Sequence, residues 1–455
     1  MDREGTWQSD MTRVSNIAEE YYNVLFTTTR PINMERVLEA VDKVVTEDMA
    51  HSLTQPYTEE EVRVALFSMH LSKSLGLHGM SPFFFQKFWH IVGHDVTLTV
   101  LSILHSGRYL KKMNFTHIVL IPKKNDPQYI TEFRPISLSN VVSRLISKVL
   151  ANRIKPFLPN VIFDTQSAFI PDKLTTDNTI VAFEMLDHMR NRRKGKTGHM
   201  AVKLDISKAY DRMEWEFLLW IMLKIGLPEE WVNMAMETVR TTSYSVLING
   251  EPKGFITPTR GIKQGDPLSQ FLFLLCAEGL SSLIRKATES NRLKGIYSCW
   301  GGVRISHLLF ANDSLLFCEA KIRECHNLLD LLTQYEEASG QAINRSKTTL
   351  FFSQNTSGRD KEEIRRLMGA QIMNNCEKYL GLPMVRGKSK VGTFKELQER
   401  ITKKVMGWKE KTTSKAGRET LIKSVVQAIP TYSMSIFKLP RRVCEGINLV
   451  LAKYW

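Results

Sequence analysis

Three short segments of this chain set acidic, basic and glycine residues at spacings that could do chemistry. In the first, Ala201-Val202-Lys203-Leu204-Asp205-Ile206-Ser207-Lys208-Ala209-Tyr210, an apolar stretch runs into a carboxylate. A strand that delivers Asp205 at its C-terminal end is a rigid mount for a metal ligand; the plainer alternative is an Asp that caps the next helix. Tyr210, five residues on, could floor a pocket or simply pack. In the second, Ser306 to Phe317, two apolar strands flank Asn312-Asp313. That pair suits an ordinary hairpin turn. A carboxylate on such a tip, set beside Asp205, would instead give a divided acidic site for two Mg²⁺ ions and in-line phosphoryl transfer. The third, Arg260-Gly261-Ile262-Lys263-Gln264-Gly265-Asp266-Pro267-Leu268-Ser269, reads as a close-approach loop at a helix N-terminus. Backbone N–H groups and the helix dipole there suit a phosphate or nucleotide, and a capped turn is the simpler alternative.

The elements that must position these residues follow from pattern. Thr58-Glu59-Glu60-Glu61 is a capping box ahead of Val62, Ala65, Leu66 and Met69 at helical spacing. His117 to Ile121 reads as a strand, Pro122 to Pro127 as a turn and Phe133 to Ile136 as the returning strand. A helix is expected over Val141 to Phe157, stopped by Pro156 and Pro159, and a strand over Met200 to Ile206. The next helix carries Trp215, Leu218, Leu219 and Met222 on one face and stops at Gly226 and Pro228. Tyr244 to Asn249 is a strand turned by Asn249-Gly250. Asp266 is expected to cap a helix with Pro267 at its first position. This order of strands and helices describes a mixed α+β lobe rather than a doubly wound sheet.

The chain has 455 residues, 43% hydrophobic and 24% charged, which excludes a disordered chain. Its longest apolar run, Phe271 to Ala277, is seven residues, against about 20 for a membrane span, so no membrane association is expected. No secretory signal is visible, so an intracellular protein of the nucleus or cytoplasm is expected. The net charge of +15 points to a polyanionic partner, or else to a basic but otherwise neutral surface. The cysteines (Cys276, Cys299, Cys318, Cys325, Cys376, Cys444) show no zinc spacing and read as reduced, buried thiols. The Arg190–Lys196 run is a solvated loop or a nuclear signal.

Taken together and in order, these segments resemble the palm of a reverse transcriptase, of the LINE-type (non-LTR) retrotransposons of plants. Ile121-Pro122-Lys123-Lys124, Phe133 to Leu138, Gln166 to Ile170, Asp205 to Asp211, Gly261 to Ser269 and Phe310 to Ser314 look like its blocks. So do Ser339-Gly340-Gln341 with Lys347, Tyr379-Leu380-Gly381-Leu382-Pro383 and Ala416 to Val425. The resemblance covers roughly residues 55–440. It implies a right-hand polymerase fold (fingers, palm, thumb) with a small mixed palm sheet and a helical thumb. The implied divisions are a helical extension over 1–55, fingers over 56–199, palm over 200–385 and a truncated basic thumb over 386–455.

The resemblance also implies roles. Asp205 is similar to the first metal ligand, with the Ile206 carbonyl beside it, and Asp313 to the second acid of the hairpin tip. Two Mg²⁺ ions, with Mn²⁺ as a substitute, would serve RNA-directed DNA polymerisation from an RNA template, a DNA primer and dNTPs. Lys123 and Arg134 resemble cations that hold the triphosphate. Tyr210 resembles the aromatic gate under the sugar, which would exclude a 2′-OH; an RNA-dependent RNA polymerase is disfavoured on that ground. Gln264 and Gly265 resemble the loop over nucleotide and template. Lys347 is a candidate general acid for pyrophosphate, or a solvated lysine. The basic helices after Phe394 resemble a grip on the duplex backbone.

Departures accompany the likeness. Where the family reads Phe/Tyr-x-Asp-Asp, this chain has Phe310-Ala311-Asn312-Asp313, an amide in place of the first tip acid. Asn keeps the shape and loses the charge, and losing one preorganised electrostatic group costs about 10²–10³ in rate. Asp313 is not expected to take its place, because a one-residue slip turns a strand side chain to the opposite face. Leu75-Gly76-Leu77-His78-Gly79, Gln270 and Pro171-Asp172-Lys173 also depart from the family pattern. The expectation is a degenerate fragment of a longer polyprotein, without its endonuclease, zinc-knuckle or RNase H regions, and with Leu449, Val450, Leu451 and Trp455 left uncovered. It is either an impaired polymerase or a catalytically dead nucleic-acid-binding remnant, the departures favouring the remnant for this copy.

Overall fold

The computed structural model describes residues 4–71, 76, 79–297, 302–373, 378–384, 390–408 and 413–455. Leu75, Leu77, His78, Cys299, Cys376 and the expected palm–thumb boundary at 385–386 lie outside the described residues. The strands among the described residues are β1 (Phe115–Pro122), β2 (Phe133–Leu138), β3 (His199–Asp205), β4 (Ser243–Ile248), β5 (Glu251–Ile256), β6 (Ile296–Tyr297), β7 (Arg304–Ile305), β8 (His307–Phe310), β9 (Asp313–Glu319), β10 (Thr349–Phe352), β11 (Gln371–Ile372), β12 (Lys378–Tyr379) and β13 (Leu382–Pro383). Among the described residues, helices alternate with two mixed sheets and two small two-stranded antiparallel ones, an α+β fold as expected. The chain divides into two compact units. One comprises Met1–Asp172, Asp205–Leu293 and His326–Asn344; the other comprises Lys173–Leu204, Lys294–Cys325 and Arg345–Trp455.

The first unit is built on a sheet of order β2-β1-β4-β5. β1 and β2 are antiparallel with Ile121 opposite Arg134, β1 and β4 are parallel, and β4 turns into β5 at Asn249-Gly250, both at positive φ. The helix Met11–Phe26, capped by Asp10, lays Tyr22 and Phe26 against Ile118, Tyr244, Val246 and Ile256. The Thr58–Glu61 capping box forms as expected. The helix from Val141 ends at Ile154, three residues early, in a tighter turn over Lys155–Phe157, because Pro156 has no N–H to continue the ladder. The helix expected to open at Asp266 begins at Ser269. Asp266 instead accepts the Leu268 N–H in the preceding turn (3.0 Å).

The second unit holds a sheet of order β11-β10-β3-β9-β8. β10 runs antiparallel to β3 from Thr349 opposite Lys203 to Phe352 opposite Met200. β3 is buried over most of its length, as a central strand covered on both faces must be. Ala182, Met185, Leu186 and Met189 of the helix Thr175–Asn191 cover it together with Leu315 and Phe317. The C-terminal helices have their own core of Ile401, Val405, Val443, Ile447 and Tyr454. Of the residues expected to be uncovered, Leu449 and Trp455 are exposed, whereas Val450 and Leu451 pack against this core. Cys276, Cys318 and Cys325 are buried free thiols and Cys444 is half-buried. No helix among the described residues is long and apolar enough to cross a membrane.

Candidate functional site

The segment Arg260–Leu268 is held by its neighbours before any ligand is considered. The Arg260 guanidinium pairs with Glu214 at 3.3 Å, both side chains buried, and donates to the Leu25 carbonyl. Gly261 sits at φ +88°, and a Cβ there would lie 2.6 Å from the Asp211 carbonyl oxygen. Only glycine fits that backbone approach. The Gly261 N–H donates to Met213 (2.7 Å) and the Ile262 N–H to Tyr210 (2.9 Å). The buried Lys263 ammonium donates to Asn114 Oδ1 at 2.6 Å, and Asn114 in turn donates to the carbonyl of Thr238 and to Thr241. This polar network fixes both sides of the loop, so its middle, Gln264-Gly265, is presented in one shape. Gly265 has φ +98°, again in the left-handed region.

Gln264, Gly265 and Tyr210 line one pocket of about 390 Å³, with Ile136, Arg144, Lys148 and Phe169 among its other walls. Tyr210 is half-buried and stacks on Phe273 at 5.1 Å between ring centres and 11° between planes. Burial pushes its hydroxyl up to about 12, so it stays neutral. The Gln264 carbonyl accepts the Ser137 N–H (3.0 Å). Its side-chain Nε2 donates to Asp211 Oδ1 (2.8 Å).

Lys123 and Arg134 sit at the end of the β1–β2 ladder that the 123–132 connection closes, where Pro122 lies opposite Phe133. Lys123 donates to the Thr131 carbonyl (2.9 Å). Arg134 is exposed. Lys208, which sequence reasoning passed over, donates to the Phe133 carbonyl (3.2 Å). Burial, and then the neighbouring Lys123 charge, pull the Lys208 ammonium down to about 8 against the attraction of Asp211.

The capping alternative for Asp205 is not what forms. The following helix begins at Trp215, after Glu214, and residues 207–212 are turns, so Tyr210 also precedes the helix rather than opening it. The Asp205 carbonyl accepts the Asn344 N–H (2.7 Å). Ile206 bridges Ile343, and the Ser207 N–H donates to Ala342 (2.8 Å). The end of β3 is therefore held by its main chain.

In the second unit the hairpin has the expected form. Phe310 pairs with Asp313, leaving Ala311-Asn312 as the two-residue turn. Ala311 adopts φ +52°, a conformation disfavoured for a residue with a Cβ. Asn312 is exposed and Asp313 half-buried. Asn178 clamps the hairpin, donating to the Leu309 carbonyl (3.0 Å) and accepting from the Tyr379 hydroxyl (2.8 Å). Burial, and then the Asp313 charge, drive the Tyr379 hydroxyl well above its ordinary range. In the strand order β3 and β9 are neighbours. Lys347 is exposed, two residues before β10.

Asp211, Lys208, Phe273 and Asn178 complete these surroundings without a clear sequence signal. Asp211 lies between Tyr210 and Arg212, at the end of a segment that carries the family resemblance, and is 1% exposed. Burial pushes its carboxyl up to about 6, opposed by Lys208, the Gln264 hydrogen bond, Lys123 and Arg212.

Residues 121–384 match the family model described as reverse transcriptase (RNA-dependent DNA polymerase). A transposon TX1 149 kDa protein of Xenopus laevis, itself uncharacterized, is 27% identical over 99% of this chain and 34% of its own length. The Pol polyprotein of the type-2 retrotransposable element R2DM of Drosophila melanogaster is 28% identical over 66% of the chain and 27% of its own length. An uncharacterized mitochondrial protein of Arabidopsis thaliana is 56% identical over 15% of the chain and 56% of its own length. The chain thus spans about a third or less of the two long relatives.

Proposed function

The chain belongs to the reverse transcriptase (RNA-dependent DNA polymerase) family, and on that premise we propose that it is the polymerase domain of a plant LINE-type element, impaired at its metal site by Asn312. The TX1 and R2 likenesses relate the domain to those of non-LTR retrotransposon proteins. Fingers, palm and thumb, an RNA template with a DNA primer, and an intracellular setting belong to the same proposal. The observation that carries it is the strand order that sets β3, ending on Asp205, next to β9, opening on Asp313.

The donor set suits a hard cation. Asp205, Asp313 and the Ile206 carbonyl offer only oxygens, which Mg²⁺ prefers to nitrogen or sulfur. The set is thin: among the described residues no group of three or more His, Cys, Asp or Glu side chains is gathered for a metal. When bound, Mg²⁺ pairs would lower the cost of ionising a primer 3′-OH and of charging the departing pyrophosphate.

The rest of the chemistry falls to side chains. Lys123 and Arg134 would face phosphate oxygens as fixed positive groups. Tyr210, backed by Phe273, would meet the sugar as a neutral ring and exclude a 2′-hydroxyl. Gln264 and Gly265 would close over the nucleotide, and Lys347 would supply a proton to pyrophosphate.

A second reading, a nucleic-acid-binding remnant without catalysis, is favoured by the exposed amide at the hairpin tip and the net charge of +15. Primer extension on an RNA template with dNTPs and Mg²⁺ or Mn²⁺ separates the two readings, comparing the wild type, Asn312→Asp and Asp205→Ala. Extension by Asn312→Asp that Asp205→Ala abolishes upholds the polymerase reading. Inactivity of all three, with salt-steep binding of primer–template, upholds the remnant.

A further inference from the structure

Asp211 has a burial and hydrogen-bonding pattern that no role assigned above uses. It is 1% exposed. Its Oδ1 accepts from Gln264 Nε2 at 2.8 Å, and its Oδ2 has no hydrogen-bond partner. A buried carboxylate with a single hydrogen bond is costly to keep. An amide of the same shape would fill the space without burying a charge. The carboxylate does one thing the amide does not: ionised, it is acceptor-only. Against it the Gln264 amide has one available orientation, with Nε2 toward Asp211 and Oε1 away. The Gln264 main chain is tied down separately, its carbonyl accepting the Ser137 N–H. Gly261 packs on the Asp211 carbonyl, so the two residues keep their register. The charged or titratable groups facing Asp211 are Lys208, Lys123 and Arg212, together with the hydroxyls of Tyr21, Tyr22 and Tyr244.

We propose that Asp211 is a positioning residue that holds Gln264 with its Oε1 facing the pocket as an acceptor, so that the pocket selects a nucleotide presenting an N–H or O–H donor at that point. This rests on the pocket being the nucleotide site. Asp211 touches no ligand itself and acts through Gln264.

The experiment is a double-mutant cycle with two readouts, in full-length protein carrying Asn312→Asp so that turnover is measurable. Asp211→Leu is expected to raise the dNTP KM about tenfold, the size of one lost hydrogen bond, with kcat changed less than about threefold. Asp211→Asn, which can still accept but can also turn over, is expected to fall between Leu and wild type. Gln264→Met alone and Asp211→Leu/Gln264→Met are expected to share one KM, because Asp211 has nothing left to position. The second readout needs no catalysis. In protein labelled with ¹⁵N at glutamine side chains, the Gln264 amide pair, assigned by its loss in Gln264→Met, exchanges slowly in wild type and fast in Asp211→Leu. Adding dTTP shifts that pair in wild type. Independent, multiplying effects of the two substitutions, or a Gln264 amide unchanged by Asp211→Leu, would overturn the proposal. If no variant extends a primer, the polymerase reading falls, while the amide spectrum still decides whether Asp211 fixes Gln264.

Discussion

The pocket of the first unit and the hairpin of the second are built to different standards. Around the pocket, each lining side chain leans on a buried partner: Tyr210 on Phe273, Gln264 on Asp211, and the loop itself on Lys263–Asn114 and Arg260–Glu214. Around the hairpin the scaffold is equally tight, through Asn178 and Tyr379, but the tip carries an exposed amide at Asn312. A buried carboxylate, Asp211, backs the pocket, whereas an amide stands at the hairpin tip. A hairpin turn tolerates Asn as readily as Asp, so folding does not select between them at position 312. In the pocket, exchanging a residue breaks packing as well as chemistry.

The comparison can be broken by substitution. The largest effect is expected from Asp205→Ala in the Asn312→Asp background, a loss of about 10³ in extension rate with primer–template affinity retained; an undiminished rate would remove Asp205 from the chemistry. Phe273→Ala, read by urea denaturation, is expected to cost about 3–5 kcal/mol, as a buried aromatic lost from a core does, and to raise the dNTP KM by loosening Tyr210. An equal loss of stability with no change in KM would detach the ring from the pocket.

Asp211→Asn tests the buried acid through pH. The folded protein holds the Asp211 proton up to about 6, against an ordinary 3.8. Folding therefore binds that proton more tightly, and the stability it contributes is present below about pH 4 and lost as pH rises through about 6. Asp211→Asn is expected to gain up to about 3 kcal/mol over wild type above pH 6.5, and nothing at pH 4. A gain that does not vary with pH would assign the effect to packing. The smallest effect is expected from Lys123→Ala, a shallower salt dependence of nucleotide binding by roughly one counterion, measured by titration at several ionic strengths.

Much of this was legible in the sequence because it depends on local rules. The Thr58 capping box, the Asn249-Gly250 turn, the β1–β2 pair and the β8–β9 hairpin all follow from residues within a few positions of one another. The grouping of Tyr210, Gln264 and Gly265 around one pocket was suggested by family likeness. The helix starts were less legible. Asp266 looked like a cap, but its carboxylate closes a turn onto Leu268 before the helix begins. The packing partners of the site residues were hidden because each contact is long-range. Phe273 lies 63 positions from Tyr210, Asn178 lies 131 from Leu309, and the burial of Asp211 is set by chain that closes over it, not by its polar neighbours.

The proposed loss of metal-site charge at Asn312 is tested most directly by titrating Mg²⁺ in primer extension for wild type and Asn312→Asp side by side. The expected result is a rate at saturating Mg²⁺ about 10²–10³ higher for Asn312→Asp, reached at lower Mg²⁺. Equal rates and equal Mg²⁺ midpoints would contradict it.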